Sequence, residues 1–134
     1  MSAPRLLPHI ELLPSVTPFV APDAVERRRG RPFRARLGAN ENPFGPSPKA
    51  LAAMREAAAQ VWRYGDPESH DLKAALATHH GVQPQNIVIG EGIDGLQGLV
   101  TRLTLLPGET AVTSAGAYPT FNYHVAAQGG LAPA

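Results

Sequence analysis

The segment best equipped for chemistry is Gly90-Glu91-Gly92-Ile93-Asp94-Gly95. Its three glycines let the backbone turn sharply between a short apolar run and a helical pattern, which aims free amides outward. A helix start carries about half a positive charge and unpaired N–H groups, so a phosphate can sit there. The same residues serve equally well as a tight turn with Asp94 capping the helix. They do not form a dinucleotide fingerprint, because no acidic residue follows about 20 positions on at a second strand end, and a Walker loop would need Gly-Lys-Ser/Thr.

A second cluster, Leu37-Gly38-Ala39-Asn40-Glu41-Asn42-Pro43-Phe44-Gly45, crowds polar amides, a carboxylate and a Phe just before a helix. Such a loop suits a ligand, and its Asn and Pro are also ordinary turn formers. Tyr118, Phe121 and Tyr123 gather after an expected strand end, where open α/β sheets bind ligands; one ring there could stack on a flat ligand. His79-His80 do not read as a chelating pair, since neighbours on a helix diverge by about 100°. Ser69 and Ser114 lack a His and Asp at hydrolase spacing. With no Cys in the chain, disulfides, thiolate nucleophiles and Cys-based metal sites are excluded.

These residues need a scaffold, and the pattern supplies one. The 134 residues amount to about one domain, 43% hydrophobic, long enough for a real core. Residues 1–37 are Pro-broken and hold Arg5, Arg27, Arg28, Arg29, Arg31, Arg34 and Arg36. We read them as an arm with one short helix, capped at Thr17-Pro18 and ended by Gly30. From Ser47-Pro48 an apolar stripe through Leu51, Met54, Ala58 and Val61 predicts a helix to about Trp62. After a turn at Tyr64-Gly65-Asp66-Pro67, a second helix closes before Gly81. Asn86-Ile87-Val88-Ile89 reads as a buried strand, and Leu96 to Leu103 resume helical spacing. Thr110 to Ser114 reads as another strand, and the loop through Tyr118-Pro119 leads into a helix ending at Gly129-Gly130. The alternation is that of an α/β fold with a parallel-type sheet and flanking helices.

Twelve basic against eleven acidic residues leave +1, which gives no global electrostatic case for nucleic acid or a membrane surface. The Arg-rich run, with Asp23 and Glu26 beside it, reads as a solvated or subunit-facing surface. No apolar run approaches the roughly 18 residues of a membrane span, and Pro interrupts the N-terminal stretch where a signal peptide needs continuity. The expected compartment is the cytoplasm.

Taken in order, LGANENPFGPSP, RYGDPESHDLKAALA, NIVIGEGIDGL and AYPTF resemble the N-terminal part of histidinol-phosphate aminotransferases, fold-type I enzymes that use pyridoxal 5'-phosphate. The resemblance runs from about Leu37 to Gly130 and implies a partial cofactor-binding domain over 38–134. It implies that the amides at Gly92, Ile93 and Asp94 hold the cofactor phosphate, that Phe121 lies against the pyridine ring, and that Tyr64 reaches the phosphate of the other subunit in a homodimer. Asn40, Glu41 and Asn42 would lie beside the substrate, an amino acid or keto acid, and the arm would pack on the partner. The family usually has Ser or Ala followed by Asp-Glu where this chain has Ile93-Asp94-Gly95, which leaves backbone amides as the main phosphate contact.

The family's Schiff-base lysine, the Asp on the pyridine nitrogen and the Arg for the substrate carboxylate lie beyond the counterpart of Gly130. Lys49 and Lys73, the two lysines of the sequence, match no such motif. The expectation is therefore an N-terminal aminotransferase fragment with no catalytic residue and no metal, binding cofactor weakly and without a covalent bond. The full enzyme would move an amino group from glutamate to imidazole acetol phosphate in histidine biosynthesis. Another class I/II aminotransferase, a cofactor-binding or dimer-forming remnant, and an unrelated nucleotide-binding domain are the alternatives.

Overall fold

The structure, a computed structural model, describes residues 4–16 and 18–132. They divide into two compact units, one formed by Met1–Val20 with Ile89–Ala134 and the other by Ala21–Val88. The arm expected over 1–37 contributes to both.

In the first unit, helix α1 is the single turn Pro8–Glu11, with Pro at its first position. The helix expected from Thr17-Pro18 does not start there. Thr17 lies outside the described residues, Pro18 is not helical, and α2 in the second unit spans Pro22–Arg29. Pro22 takes the same first-turn role that Pro18 was expected to take, and Gly30 ends α2 as expected, in the left-handed region at φ 69°.

Helix α3, Pro48–Ala57, starts where the sequence indicates: Ser47 Oγ accepts the Ala50 amide at 3.1 Å. It runs into a 3-10 turn, Ala58–Gln60, before Trp62. Helix α4, His70–His80, closes at Gly81 with φ 67°. Its start is held by Asp66 rather than by Ser69, which lies in the left-handed region at φ 50° and caps nothing. Asp66 accepts the amides of His70 at 2.8 Å and Glu68 at 3.0 Å. These bonds favour the carboxylate and hold the Asp66 pKa below its ordinary value.

Helix α5 is Gly92–Thr104 and α6 is Pro119–Ala127. A Cβ on Gly98 would lie 3.1 Å from His124 Nδ1, one on Gly129 3.2 Å from Pro107, and one on Gly130 would overlap the Leu105 side chain. These contacts join α5 and the residues after it to α6 and the residues after it. Glycine at 98 and 130 is what permits this approach. Val125 is fully buried in the same seam, and α1 packs on α6.

The expected sheet is the main departure. No strand forms among the described residues. Asn86 closes a 3-10 turn, Pro84–Asn86, and Val88 is 69% exposed where a buried strand was expected. A parallel strand draws its hydrogen bonds from neighbours on its edges, and residues 87–89 have none beside them among the described residues. One parallel bridge does form, Thr110 with Leu131, through Leu131 N–H to Glu109 O and Ala111 N–H to Leu131 O, both 2.8 Å. The extended residues on either side of α6 thus lie side by side and parallel, the β-α-β relationship on which such a sheet is built.

The core is correspondingly small. Among the described residues only Ala77, Thr101, Thr120 and Val125 are buried. The accessible surface is 11427 Å², against about 6,800 Å² for a compact monomer of this mass. Leu99, Val100 and Leu103 on α5 and Met54 on α3 face outward, so the apolar stripes form as expected but stay uncovered.

Candidate functional site

Helices α5 and α6, which carry the candidate cofactor residues Gly92, Ile93, Asp94 and Phe121, pack on each other in the first unit. Gly92 opens α5 at φ 71°, and its own amide is taken by Gly90 O at 2.9 Å. Ile93 and Asp94 are the second and third helical residues, where an amide has no carbonyl within the helix to bond. The glycine segment is therefore the first turn of α5 rather than a loop, and Asp94 is inside the helix instead of capping it; Glu91 stands at the cap and makes no side-chain cap bond. Ile93 and Asp94 are both exposed, so their amides are accessible to an anion.

Phe121 is the third residue of α6, half-buried. His124, one turn on from Phe121, lies against Gly98 of α5. Thr120, beside Phe121, is 2% exposed, and its Oγ1 has no hydrogen-bond partner. Gln97 Oε1 on α5 is likewise buried and unpaired. A buried polar atom without a partner costs about 1–3 kcal/mol, so these two side chains hold acceptor and donor capacity that the protein itself leaves unused. Sequence reasoning passed over both residues. Thr120 stood within the AYPTF segment, but nothing in its spacing showed that it would turn inward.

The Asn-Glu-Asn segment lies in the second unit, and it is tied down locally. Ala39 and Asn40 adopt left-handed φ of 61° and 53°, costly for residues with a Cβ. Asn42 spends its side chain on the turn, accepting the Phe44 amide at 3.1 Å and donating to Gly45 O at 3.2 Å. Glu41 takes two bonds from Arg36, whose third donor reaches Asp23 Oδ1 at 3.1 Å. These partners raise the pKa of the Arg36 guanidinium further, the Glu41 hydrogen bond most. Asn40 alone of the three has no side-chain bond among those described. Arg36 was not singled out from the sequence, although its position five residues before Glu41 was visible.

Tyr64 belongs to the same unit and is fully exposed, in contact with nothing. The rings of His79 and His80 meet edge-on, centroids 4.8 Å apart, although the residues are adjacent on a helix. Lys49 is exposed on α3 and Lys73 half-buried on α4. Among the described residues there is no group of three His, Cys, Asp or Glu placed to hold a metal, and no helix long and apolar enough to cross a membrane.

No family model matches the chain. Curated relatives do. A histidinol-phosphate aminotransferase of Anaeromyxobacter sp. (strain Fw109-5) is 39% identical over 118 residues, 88% of this chain and 32% of the relative. One from Roseiflexus castenholzii is 36% identical over 130 residues, 92% of this chain and 35% of the relative. The chain thus spans about a third of the length of these relatives. The crystal structure of histidinol-phosphate aminotransferase from Sinorhizobium meliloti in complex with pyridoxal-5'-phosphate superposes with a TM-score of 0.90 at 55% identity, covering 98% of this chain and 35% of that one.

Proposed function

We propose, from the premise that this chain is histidinol-phosphate aminotransferase sequence of the fold-type I, pyridoxal-phosphate kind over about a third of its relatives' length, that it supplies the cofactor cradle of such an enzyme. The observation that carries this reading is the joint agreement of sequence and backbone with the Sinorhizobium enzyme, whose structure holds the cofactor.

The residues fit the group. The Ile93 and Asp94 amides, opened by the left-handed Gly92, would hold its phosphate without help from a side chain. Phe121 would lie against the pyridine ring, and the unpaired Thr120 hydroxyl offers a donor close by. Tyr64, free of contacts here, would serve the phosphate of a second subunit in a homodimer. Asn40, Glu41 and Asn42 would stand beside the substrate, Asn40 with its amide free and Glu41 and Asn42 shaping the loop. The arm over 1–37 and a partial cofactor domain over 38–134 belong to the same reading. So does a parallel-type sheet, in which the Thr110–Leu131 bridge is one pairing of several, and so does a cytoplasmic setting.

When bound, the cofactor acts as an electron sink for a substrate amino group. The reaction of the whole enzyme would be amino transfer between glutamate and imidazole acetol phosphate. This chain's part is to bind and orient. Lys49 and Lys73 match no cofactor lysine of the family, so neither is assigned catalysis, and the 134-residue chain is expected to bind without turnover.

Amide resonances of the labelled chain, followed while inorganic phosphate, pyridoxal and pyridoxal phosphate are added in turn, test the reading. Ile93 and Asp94 should move with both phosphate-bearing probes and Phe121 with both ring-bearing ones. If none of the three responds to pyridoxal phosphate, the cradle is wrong. Glutamate-dependent turnover by the chain itself, abolished by Lys49→Ala or Lys73→Ala, would overturn the assignment of binding without catalysis.

A further inference from the structure

The Arg-rich run after α2 belongs wholly to the second unit and uses none of the residues assigned above to the cofactor. Gly30, at φ 69°, turns the chain back at the end of α2, and Pro32 fixes the extension that follows. The result is a cleft of about 550 Å³ lined by Arg29, Arg31, Pro32 and Arg34, a volume in the range of small-molecule sites. Arg29, Arg31 and Arg34, all exposed, line one cleft, and their like charges repel one another.

Among the described residues no carboxylate forms an ion pair with them. Glu26 Oε1 accepts the Phe33 amide at 2.7 Å, and Asp23 and Glu41 are both held by Arg36. Among the described residues, Arg29, Arg31 and Arg34 have no ion-pair partner. Arg29 is also held in place: its guanidinium carbon sits 4.5 Å above the Phe33 ring. The Glu26 bond to the Phe33 amide anchors the backbone beneath that ring. Three bidentate donors without an ion-pair partner among the described residues thus line one cleft, Arg29 held over a ring and Arg31 and Arg34 exposed.

We propose that this cleft binds a small polyphosphate-type anion, with the forks of Arg29, Arg31 and Arg34 on its phosphate oxygens. Guanidinium geometry matches phosphate in pairs of parallel bonds, and a chain of two or three phosphates brings enough charge to compensate three cations at once. A single carboxylate or a neutral ligand would leave the cleft positive.

The test is a titration of the 134-residue chain with inorganic pyrophosphate and tripolyphosphate at constant ionic strength, by calorimetry and by arginine Nε–H resonances. Saturable binding at one site is expected, with Arg29, Arg31 and Arg34 moving. Arg31→Gln should weaken it roughly tenfold and Arg31→Lys, which keeps the charge and loses the fork, by less. Arg27→Gln and Arg28→Gln, outside the lining, should change it less than about twofold. The helical circular dichroism of each variant reports whether it is folded, and the unsubstituted chain's resonances carry the test should Arg31→Gln fail to fold. Non-saturating shifts spread over Arg27 and Arg28, or tighter binding of a single-stranded oligonucleotide than of tripolyphosphate, would overturn the proposal.

Discussion

Arg36 grips both carboxylate oxygens of Glu41, Nη2 to Oε1 at 2.8 Å and Nε to Oε2 at 3.1 Å, while Nη1 reaches Asp23. The fork joins the start of α2 to the loop that carries Asn40. Replacing Arg36 by Gln removes the two-point hold, and Lys restores only the charge. We expect amide exchange over 38–42 to quicken severalfold in Arg36→Gln, with Lys in between and α4 unchanged. Equal exchange in all three proteins would show that the turn bonds of Asn42 suffice.

The pH dependence of α4 follows from Asp66. Its folded pKa is depressed by the amides of His70 and Glu68, so its contribution is present above the unfolded value and is lost as pH falls through the folded one. Starting from the ordinary 3.8, that places the loss on the acid side, below about pH 4. Asp66→Ala should fray the first turn of α4 at neutral pH and remove its acid transition, read from the His70 and Asp71 amides. An acid transition of the same size in the variant would assign it elsewhere.

Gly130 has no room for a side chain, whereas Gly38 has nothing within 4 Å of its would-be Cβ. Gly130→Ala should destabilise the first unit by about 1–3 kcal/mol through overpacking against Leu105 and Val125, measured as a lower urea midpoint. Gly38→Ala should leave the midpoint within about 0.5 kcal/mol.

The uncovered apolar faces of α3 and α5 should drive association. With Leu99, Val100 and Leu103 outward on one helix, the chain alone is expected to form oligomers at high micromolar concentration. Sedimentation as a well-behaved monomer across that range would contradict it. Leu103→Lys should shift the distribution toward monomer.

Helix boundaries were legible wherever a local signal set them: Ser47 capping α3, Gly81 and Gly30 in the left-handed region, Pro119 opening α6. Ile93, Asp94 and Phe121 enter the candidate site through the ordered resemblance of four segments, and the structure puts the first two in the first turn of α5 and the third in the first turn of α6. What escaped depends on distant partners. Pairing of 87–89 needs neighbours that a local apolar run does not supply, so Val88 stays exposed. The inward turn of Thr120 depends on how α6 meets α5, which Gly98 decides from 22 residues away. Pro18 follows Thr17, a capping residue type, and Pro22 follows Ala21, which has no side chain to cap with, yet α2 opens at Pro22.

The bridge between Thr110 and Leu131 also orders events in time. It closes a segment of 21 residues around α6, whereas docking α1 on α6 joins stretches about 110 residues apart. On polymer entropy the second closure costs about 1.5 kcal/mol more, and contacts of long sequence separation form late. The excursion through α6 is therefore the natural nucleus of the first unit, and α1 the last piece to settle. In pulse-labelled refolding, amides of 123–131 should gain protection before those of α1, and the reverse order would mean that the N-terminal turn templates the unit.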